Sequence, residues 1–289
     1  MKAPRFAYAR PATVAEALAL LAEHEARVLA GGQSLVPMLN FRVAAPKVLV
    51  DINRIAALSG IKVAKNHVRI GALTRQVELE RSVEVARHLP LIAQAMPHVA
   101  HPAIRNRGTF GGSCALADPA AELPACAIAL GAIFVVAGRK GERRVAAEDF
   151  FKGLYATALK GDELLVAAEF PLPKPGYASA FGELARRHGD YAMVGLAVHG
   201  STAGSTRDGK FSDMRVVFFG VGDRPARAAQ FERALEGQSA LQRSVESAIG
   251  KLDADLDPRA DLHASAATKR HLAKVLAGRV LGQMEGMAA

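Results

Sequence analysis

The sequence predicts an α+β protein of two domains, and three features of the chain lead to that prediction. Short apolar segments typical of strands alternate with segments of helical periodicity as far as about residue 175. Pro171, Pro173 and Pro175 then interrupt the pattern, because proline breaks both sheet ladders and helices. Beyond them, three strand-like segments precede a run of helical segments, the order typical of an α+β domain. We therefore expect one domain over residues 1–175, with subdomains of about 1–55 and 56–175, and a smaller domain over 176–289.

The first subdomain contains a clear helix signal between two short strands. Thr13 and Glu16 have the spacing of a capping box, in which both side chains accept hydrogen bonds from free amides at a helix start. A helix is therefore expected over about residues 14–24. Apolar runs at 27–30 and 48–52 predict two buried strands.

The remaining elements follow from the same patterns. Strands are expected at 67–70, 133–136 and 164–170, and helices after Thr74 and at about 89–96 and 122–130. In the second domain, strands at 178–187, 193–199 and 214–220 are expected to form a three-stranded antiparallel sheet, followed by helices that end with one over 267–283. The glycine-rich and serine-rich stretch 200–210 is typical of a long hairpin loop.

Composition limits the class of protein. The 289 residues carry 37 Lys and Arg against 28 Asp and Glu, a net charge of +9, and half are apolar, as in a folded globular protein. Two cysteines cannot supply the four thiolates of a typical iron–sulfur cluster, so no metal is expected on this chain. We see no apolar leader or membrane span, and the expected location is the cytoplasm.

The basic charge is spread along the chain rather than gathered into a nucleic-acid motif. Its densest cluster, Arg139, Lys140, Arg143 and Arg144, is expected to lie in a solvated turn. No nucleic acid is therefore expected as a partner, whereas a basic face for an acidic protein or an anionic cofactor stays open.

Two glycine pairs are the candidate ligand loops. One lies in Ala30-Gly31-Gly32-Gln33-Ser34-Leu35 after a strand, and the other in Thr109-Phe110-Gly111-Gly112-Ser113 after a basic segment. Glycine lets a ligand approach the main chain, and successive amides in such a turn form a concave anion site. Two such loops suit the two halves of a pyrophosphate, although each loop alone is typical of an ordinary turn.

The other motifs do not indicate a nucleotide, metal or hydrolase site. The stretch 204–210 has Walker A spacing, but Phe211 stands where a magnesium-binding Ser or Thr belongs, so we interpret it as a hairpin loop. His98, His101, Cys114 and Cys126 do not have zinc spacing, and the histidines are expected on the surface. No hydrolase motif is present, and no catalytic residue is predicted. Glu122, at an expected helix start, suits either the helix dipole or ribose hydroxyls.

Taken together, these segments resemble one family along nearly the whole chain. The residues 30–37 and 105–113 resemble the two flavin-binding signatures of the FAD-binding medium subunit of molybdenum hydroxylases, the carbon monoxide dehydrogenase and xanthine dehydrogenase group. Residues 117–124 resemble the continuation of the second signature, and 186–192 resemble the opening of the family's C-terminal domain. The resemblance implies a two-part FAD-binding domain of the vanillyl-alcohol-oxidase/PCMH-like kind, followed by a C-terminal domain of the carbon monoxide dehydrogenase flavoprotein type.

The resemblance also implies a cofactor site, carried over position by position. The first loop would hold the FAD pyrophosphate, and the second would hold it from the other side. The implied cofactor-binding residues are Leu29, Ala30, Gly31, Gly32, Gln33, Ser34, Leu35, Ala100, His101, Ile104, Thr109, Gly111, Gly112, Ser113, Glu122, Leu165 and Tyr191. Two positions depart from common family residues: Leu116 replaces a frequent histidine, and Gly182 replaces a lysine found in some relatives.

The function implied by the resemblance is electron transfer. A large partner subunit would carry the molybdenum cofactor, and a small partner subunit would carry two [2Fe–2S] clusters. This chain has too few cysteines to hold an iron–sulfur cluster itself. FAD on this subunit would pass electrons from the clusters to an external acceptor, in a dimer of heterotrimers. Two alternatives stay open: a stand-alone FAD-dependent oxidoreductase of related fold, and a nucleotide-binding module without redox chemistry.

The second glycine pair yields a test. We expect Gly112→Val to weaken FAD binding, because the added side chain crowds a loop that must approach the cofactor with its backbone. FAD retention after desalting measures the effect, and wild-type retention in the variant would count against the site.

Overall fold

The computed structural model describes residues 2–23, 25–202 and 209–284. Within them the chain forms a larger α+β unit followed by a smaller α+β unit. His24, the expected last residue of the first helix, lies outside the described residues. So do residues 203–208, which include most of the expected hairpin loop and of the stretch with Walker A spacing.

The first layer is a three-stranded parallel sheet with two helices. Its strands are β1 (Ala7–Ala9), β2 (Ala26–Leu29) and β3 (Val48–Asp51), in the order β1-β3-β2, and its helices are α1 (Val14–Glu23) and α2 (Leu35–Asn40). The Thr13 hydroxyl accepts a hydrogen bond from the Glu16 amide at 3.2 Å, as the capping box predicts. The Glu16 carboxylate accepts a hydrogen bond from the Ala12 amide at 2.8 Å, instead of from the Thr13 amide that a capping box would use.

The second layer is a five-stranded antiparallel sheet in the order β4-β5-β10-β6-β7. Its strands are β4 (Ile61–Val63), β5 (His67–Gly71), β6 (Ile133–Gly138), β7 (Gly141–Ala146) and β10 (Leu164–Pro171), and the hairpin β8 (Phe151–Gly153) and β9 (Ala156–Thr157) stands beside it. The helices of this part are α3 (Gln76–Arg81), α4 (Val83–His88), α5 (Pro90–Ala95), α6 (Pro102–Arg105), α7 (Phe110–Leu116), α8 (Glu122–Ala129) and α9 (Ala147–Phe150). Two 3₁₀ turns complete it at Ala56–Leu58 and Met96–His98.

The predicted solvated turn of four cations is only half right. Arg139 and Lys140 are exposed in the turn between β6 and β7, but the next two arginines lie within β7. Arg143 pairs with Glu163 at 2.7 Å, and Arg144 pairs with Glu169 of β10. Successive side chains of a strand point to opposite faces, so the two arginines lie on opposite faces of the sheet and pair with different acidic residues.

The second domain is built on a four-stranded antiparallel sheet, one strand more than predicted. The strands are β11 (Tyr177–Leu184), β12 (Val194–Ser201), β13 (Ser212–Phe219) and β14 (Ala226–Arg227), in that order. Its helices are α10 (Ala229–Leu235), α11 (Gln242–Ala248), α12 (Leu252–Asp255) and α13 (Ala266–Met284), with a 3₁₀ turn at Ile249–Lys251. The sequence missed β14 because two residues are too few to show a period-two pattern.

The two faces of this sheet belong to different cores. Phe181, Ala197, Val217 and Phe219 face the first domain and join its main core, against which α5 and α8 pack. The alternate residues face α13 and form the core of the second domain. We call the contact surface between the two domains the seam. Because apolar side chains of both domains are buried together there, the C-terminal sheet sets the position of α8.

Gly220, directly after β13, joins the two domains through its backbone. Its amide donates to the Pro119 carbonyl at 2.8 Å, and its carbonyl accepts from the buried Lys269 ammonium at 2.8 Å. Lys269 also pairs with Asp261 at 2.6 Å. Gly220 has φ +74°, and a Cβ there would lie 2.8 Å from the Ala192 carbonyl oxygen, so glycine is required at this joint.

None of the helices in the described ranges combines the length and the apolar character needed to cross a bilayer.

The Lys269–Asp261 pair gives a pH-dependent prediction. Burial raises the pKa of Asp261, but hydrogen bonds from Lys269 and from two backbone amides outweigh it and bring the pKa to about 2. The depressed pKa means that the carboxylate stabilises the fold above its unfolded pKa and loses this effect as pH falls toward 2. We expect Asp261→Asn to lower the free energy of unfolding by about 1 to 2 kcal/mol at pH 7, between the values of exposed and buried pairs.

The matched control is Asp257→Asn, which changes an exposed aspartate of the same connection. Urea unfolding at pH 7 and at pH 3 measures both variants. An Asp261→Asn effect that is equal at the two pH values would contradict the assignment. At pH 3 the unfolded chain binds a proton at Asp261 more readily than the folded chain, whose Asp261 has the lower pKa, so the stabilisation is smaller than at pH 7.

Candidate functional site

The two glycine loops predicted from the sequence lie against each other. A Cβ on Gly31 would overlap the Arg107 carbonyl oxygen and lie 2.9 Å from the Gly108 Cα. On the other side of the contact, a Cβ on Gly112 would lie 3.9 Å from the Ala30 Cβ. Residues about 75 positions apart in the chain therefore form one surface, and only glycine fits at Gly31.

The first loop combines a left-handed turn with a short helix. Gly32 has φ +73°, a conformation that glycine adopts without strain. Gln33 turns back and donates from Nε2 to the Gly31 carbonyl at 3.1 Å. Ser34 precedes α2 but makes no side-chain capping bond, and Leu35 is the first residue of the helix. Leu29 lies at the end of β2, with its side chain 3.3 Å from the Cβ position of Gly32.

The second loop opens α7. Thr109 is its N-cap and accepts the Gly112 amide at 3.0 Å. The Gly111 amide donates to the Ala72 carbonyl at 2.8 Å, and a Cβ on Gly111 would lie 2.7 Å from the Ala72 Cα. Ser113 follows within the same turn of helix. A side chain at Gly112 would approach the Thr109 hydroxyl to 2.7 Å, which gives the expected crowding of Gly112→Val a structural basis.

Asn53 and Arg75 hold the two loops together, and the sequence analysis did not find them. Asn53 donates from Nδ2 to the Ala30 carbonyl at 2.8 Å and to Asp51 Oδ1 at 2.6 Å. Arg75 donates to Asn53 Oδ1 at 2.6 Å and, from its other terminal nitrogen, to the Arg107 carbonyl. We call this pair the Asn53–Arg75 clasp, because it binds one carbonyl of each loop.

The clasp is anchored on Asp51 at the end of β3. The Tyr8 hydroxyl donates to Asp51, the Asn53 amide donates to it at 2.9 Å, and Arg10 lies 3.6 Å away. Burial raises the pKa of Asp51, but the hydrogen bonds from Tyr8 and Asn53 outweigh it and lower the pKa below its usual value. The carboxylate therefore stays charged at neutral pH. The sequence signal that could have revealed this part of the clasp is the pair of polar residues directly after a buried strand, in Asp51-Ile52-Asn53.

The segment around Ala100 reaches the second domain. Ala100 has φ +45°, and the Arg105 guanidinium holds its carbonyl at 3.2 Å. His101 is exposed before α6, and Ile104 within that helix is half-buried. A Cβ on Gly189 would lie 2.8 Å from the Ala100 carbonyl oxygen and would meet the His101 ring as well. The loop after β11 is thus packed against this segment.

Glu122 is a buried carboxyl at the first position of α8. Burial, with smaller effects of the Glu183 and Asp118 charges, raises its pKa to about 8 although its own backbone amide opposes the shift. Tyr191 is 66% exposed. Burial, with smaller effects of the Asp118 and Glu122 charges, raises the pKa of Tyr191. The Tyr155 hydroxyl donates to Asp118 at 3.3 Å.

The structure corrects the expectation for His98 and places Leu165 outside the two glycine loops. His98 is not a surface histidine: it is half-buried, with Nδ1 3.4 Å from Glu183 Oε1 and its ring beside Phe181. Leu165 is buried in β10 and belongs to the main core, so it lies in a strand that packs against α7 rather than in either loop.

The cysteines are core residues. Cys114 and Cys126 are fully buried, and burial raises the pKa of both thiols well above the usual value. Among residues 2–23, 25–202 and 209–284, no three His, Cys, Asp or Glu side chains are placed to hold a metal ion.

Two family descriptions match the chain. Residues 4–173 match the family described as the FAD binding domain in molybdopterin dehydrogenase, and residues 179–284 match the CO dehydrogenase flavoprotein C-terminal domain. The 6-hydroxypseudooxynicotine dehydrogenase complex subunit alpha of Paenarthrobacter nicotinovorans is 37% identical over 285 residues, which cover 98% of this chain and 95% of that protein.

Solved structures are similar over the full length. A chain of carbon monoxide dehydrogenase from Hydrogenophaga pseudoflava, in a form that lacks the Mo-pyranopterin moiety of the molybdenum cofactor, gives a TM-score of 0.96 at 38% identity, with 100% of both chains covered. A chain of quinoline 2-oxidoreductase from Pseudomonas putida 86 gives a TM-score of 0.93 at 36% identity, covering 100% of this chain and 99% of that one.

The fold and the paired glycine loops thus define an FAD-binding flavoprotein domain with its C-terminal companion. The chain belongs to the family of FAD-binding medium subunits of molybdenum hydroxylases, of the carbon monoxide dehydrogenase and xanthine dehydrogenase type. It is an oxidoreductase subunit and the medium chain of a multi-subunit complex.

The residues present fit FAD. Where the loops meet, the missing Cβ atoms of Gly31 and Gly111 allow close packing against Arg107 and Ala72, and Gly32, with φ +73°, turns the main chain so that successive amides of the first loop can face an anionic group. The clasp holds the loops through carbonyls and so leaves the amides of the first loop for a ligand, whereas the Gly111 and Gly112 amides of the second loop donate to Ala72 and Thr109.

The clasp can be tested directly. We expect Arg75→Gln to weaken FAD binding at least about tenfold and to lower the free energy of unfolding by about 1 to 2 kcal/mol, because Asn53 Oδ1 and the Arg107 carbonyl oxygen lose a charged donor. The control is Arg81→Gln, which makes the same change at the exposed last residue of α3. Titration of the flavin fluorescence and urea unfolding separate the two effects, and unchanged FAD affinity would refute a positioning role of Arg75.

Proposed function

We propose that this subunit relays electrons from [2Fe–2S] clusters of a partner subunit, through its FAD, to an external acceptor. The observation that carries the proposal is the contact of the Gly31 loop with Arg107–Gly108 in a chain that matches the flavoprotein family from residue 4 to residue 284. Two loops that are each ordinary alone become a specific cradle when the fold joins them.

The proposed FAD site uses the two loops for the pyrophosphate. Backbone amides of the first loop and the Ser34 hydroxyl would hold it from one side. Thr109 and residues 111–113 of the second loop would hold it from the other side. Ala100, His101 and Ile104 would line the flavin and adenosine, with Glu122, Leu165 and Tyr191 as further contacts. The packing of Gly189 against the His101 ring supports this arrangement, since it brings a second-domain residue to the same region.

The chemistry of the site belongs to the cofactor. When bound, FAD accepts electrons singly and delivers them to an acceptor, chemistry that no amino-acid side chain supplies. The chain's own tasks are to bind and orient: the glycines admit the anion, the clasp holds the loops in register, and α8 presents Glu122. None of these tasks requires a general base or a nucleophile.

We propose further that the complex is a dimer of heterotrimers in the cytoplasm. A large subunit would hold the molybdenum cofactor and a small subunit the [2Fe–2S] clusters. The domain boundary is proposed at about residue 175, between the two matched regions, and the first domain is proposed to have the two-part vanillyl-alcohol-oxidase/PCMH-like architecture. Relatives whose names give a nicotine derivative, carbon monoxide and quinoline are 36–38% identical to this chain, which supports assigning substrate choice to the partner subunits.

An absorbance spectrum of the purified chain tests the FAD site. We expect oxidised-flavin bands to survive desalting in the wild type after FAD is added. Gly31→Ala should lose them, because its Cβ overlaps the Arg107 backbone. The matched control is Gly161→Ala, where a Cβ meets nothing within 4 Å. A pull-down should also recover subunits that contain molybdenum and iron–sulfur clusters. Flavin bands retained equally in all three proteins would refute the assigned loops.

A further inference from the structure

Ala100 has a backbone conformation that alanine rarely adopts. Its φ is +45°, in the left-handed region where the Cβ of any residue other than glycine is crowded. Residues in such conformations persist only where surrounding contacts hold them, and they are frequent at ligand sites. Residues 99–101, which we call the Ala100 turn, connect the 3₁₀ turn Met96–His98 to α6. The contacts that hold this turn therefore require an explanation.

The buried Arg105 guanidinium, at the end of α6, holds the turn from inside. Its Nη1 donates to the Val99 carbonyl at 2.9 Å and to the Ala100 carbonyl at 3.2 Å. Its Nε and Nη2 donate to the two carboxylate oxygens of Glu80 on α3, at 2.9 and 3.0 Å. A bidentate pair fixes the plane of the guanidinium, so Glu80 also fixes the direction in which Nη1 points.

The second domain contacts the same turn from outside. A Cβ on Gly189 would lie 2.8 Å from the Ala100 carbonyl oxygen and 2.5 Å from Cε1 of the His101 ring. The Ala100 carbonyl is therefore enclosed between the Arg105 guanidinium and the backbone of Gly189. A peptide whose carbonyl is held on two sides has little freedom to rotate.

The two carbonyls that Arg105 binds determine where two amides point. In a trans peptide the N–H lies opposite the C=O, and the described residues contain no cis peptide. The Val99 carbonyl shares its peptide with the Ala100 amide, and the Ala100 carbonyl shares its peptide with the His101 amide. Both N–H groups therefore point away from the carbonyl oxygens that Arg105 binds.

These two successive amides have no protein acceptor. Among residues 2–23, 25–202 and 209–284, no oxygen accepts a hydrogen bond from the Ala100 amide or from the His101 amide. Ala100 is half-buried and His101 is exposed, so the two donors lie at the surface of the turn. Two adjacent free donors, directed by a buried cation behind them, are available to an acceptor group of a ligand.

We propose that Arg105 is a positioning residue of the FAD site, which directs the Ala100 and His101 amides toward acceptor atoms of bound FAD. The proposal rests on the proposed contact of Ala100 and His101 with the cofactor and adds the residues that set its geometry. Glu80 acts one step further back, through Arg105. Lysine cannot replace Arg105, because a single ammonium group does not bind a carboxylate in a bidentate fork and reach both carbonyls in the same plane.

Hydrogen–deuterium exchange of the full-length chain, without and with saturating FAD, tests the direction of the amides. We expect FAD to slow exchange in residues 99–101 of the wild type. In Arg105→Lys the protection should be smaller even when the cofactor is bound, a change that a loss of stability alone would not cause. Arg87→Lys makes the same change at an exposed residue of α4 and should match the wild type. Equal protection in Arg105→Lys, or none in a wild type that retains FAD, would overturn the proposal.

FAD affinity with a rescue variant tests the role of the turn. We expect Arg105→Lys to weaken FAD binding about tenfold, the size of one lost charged hydrogen bond. Adding Ala100→Gly should recover part of the loss, because glycine adopts a positive φ without strain and needs less support from Arg105. Equal losses in the single and the double variant would overturn the assigned role.

Exchange of the FAD-free chain decides whether Arg105 holds the turn at all. Residues 99–106 should exchange faster in Arg105→Lys than in the wild type, while the buried strand β10 should not change, which distinguishes local loosening from unfolding. Unchanged exchange in residues 99–106 would overturn the proposal. Failure of the wild type to bind FAD would instead refute the proposed function, and the FAD-free exchange would still decide the contact of Arg105 with the turn.

Discussion

The backbone of Gly31 packs directly against the Arg107–Gly108 peptide, and the arrangement of the site depends on that contact. A side chain at either face would separate the loops, so the absence of Cβ atoms matters more here than any single hydrogen bond. Glycine alone leaves the loops free to move, however. Asn53 and Arg75 remove that freedom by binding a carbonyl of each loop, and the charged Asp51 keeps Asn53 in place.

The second domain supports the site from behind. Its sheet shares a core with α5 and α8, and Gly220 ties the end of β13 to Pro119, three residues before Glu122. The helix that presents the buried carboxyl is therefore held from both sides of the seam. The second domain thus contributes to the candidate site, because it fixes the position of α8 and packs Gly189 against His101.

The net charge of the chain does not describe the region between its two domains. The protein has a net charge of +9, yet the region between the domains gathers Asp118, Glu122 and Glu183. Many cations elsewhere are already engaged, as Arg143 and Arg144 are with carboxylates across the five-stranded sheet. Net charge therefore says little about local potential, because burial and neighbouring charges decide the ionisation of each group.

Most of the fold and the two glycine loops of the candidate site were accessible from the sequence, because both depend on local patterns. Strand and helix periodicity located the main elements, and the glycine pairs with their neighbours predicted two ligand loops and, through family resemblance, FAD. Only the tertiary structure showed the clasp, the four-stranded sheet and the buried Glu183 beside His98. Asn53, Arg75 and Glu183 look like ordinary surface residues in the sequence, because each contacts a partner more than twenty positions away. Long-range contacts leave no period or motif, so only the packed chain decides them.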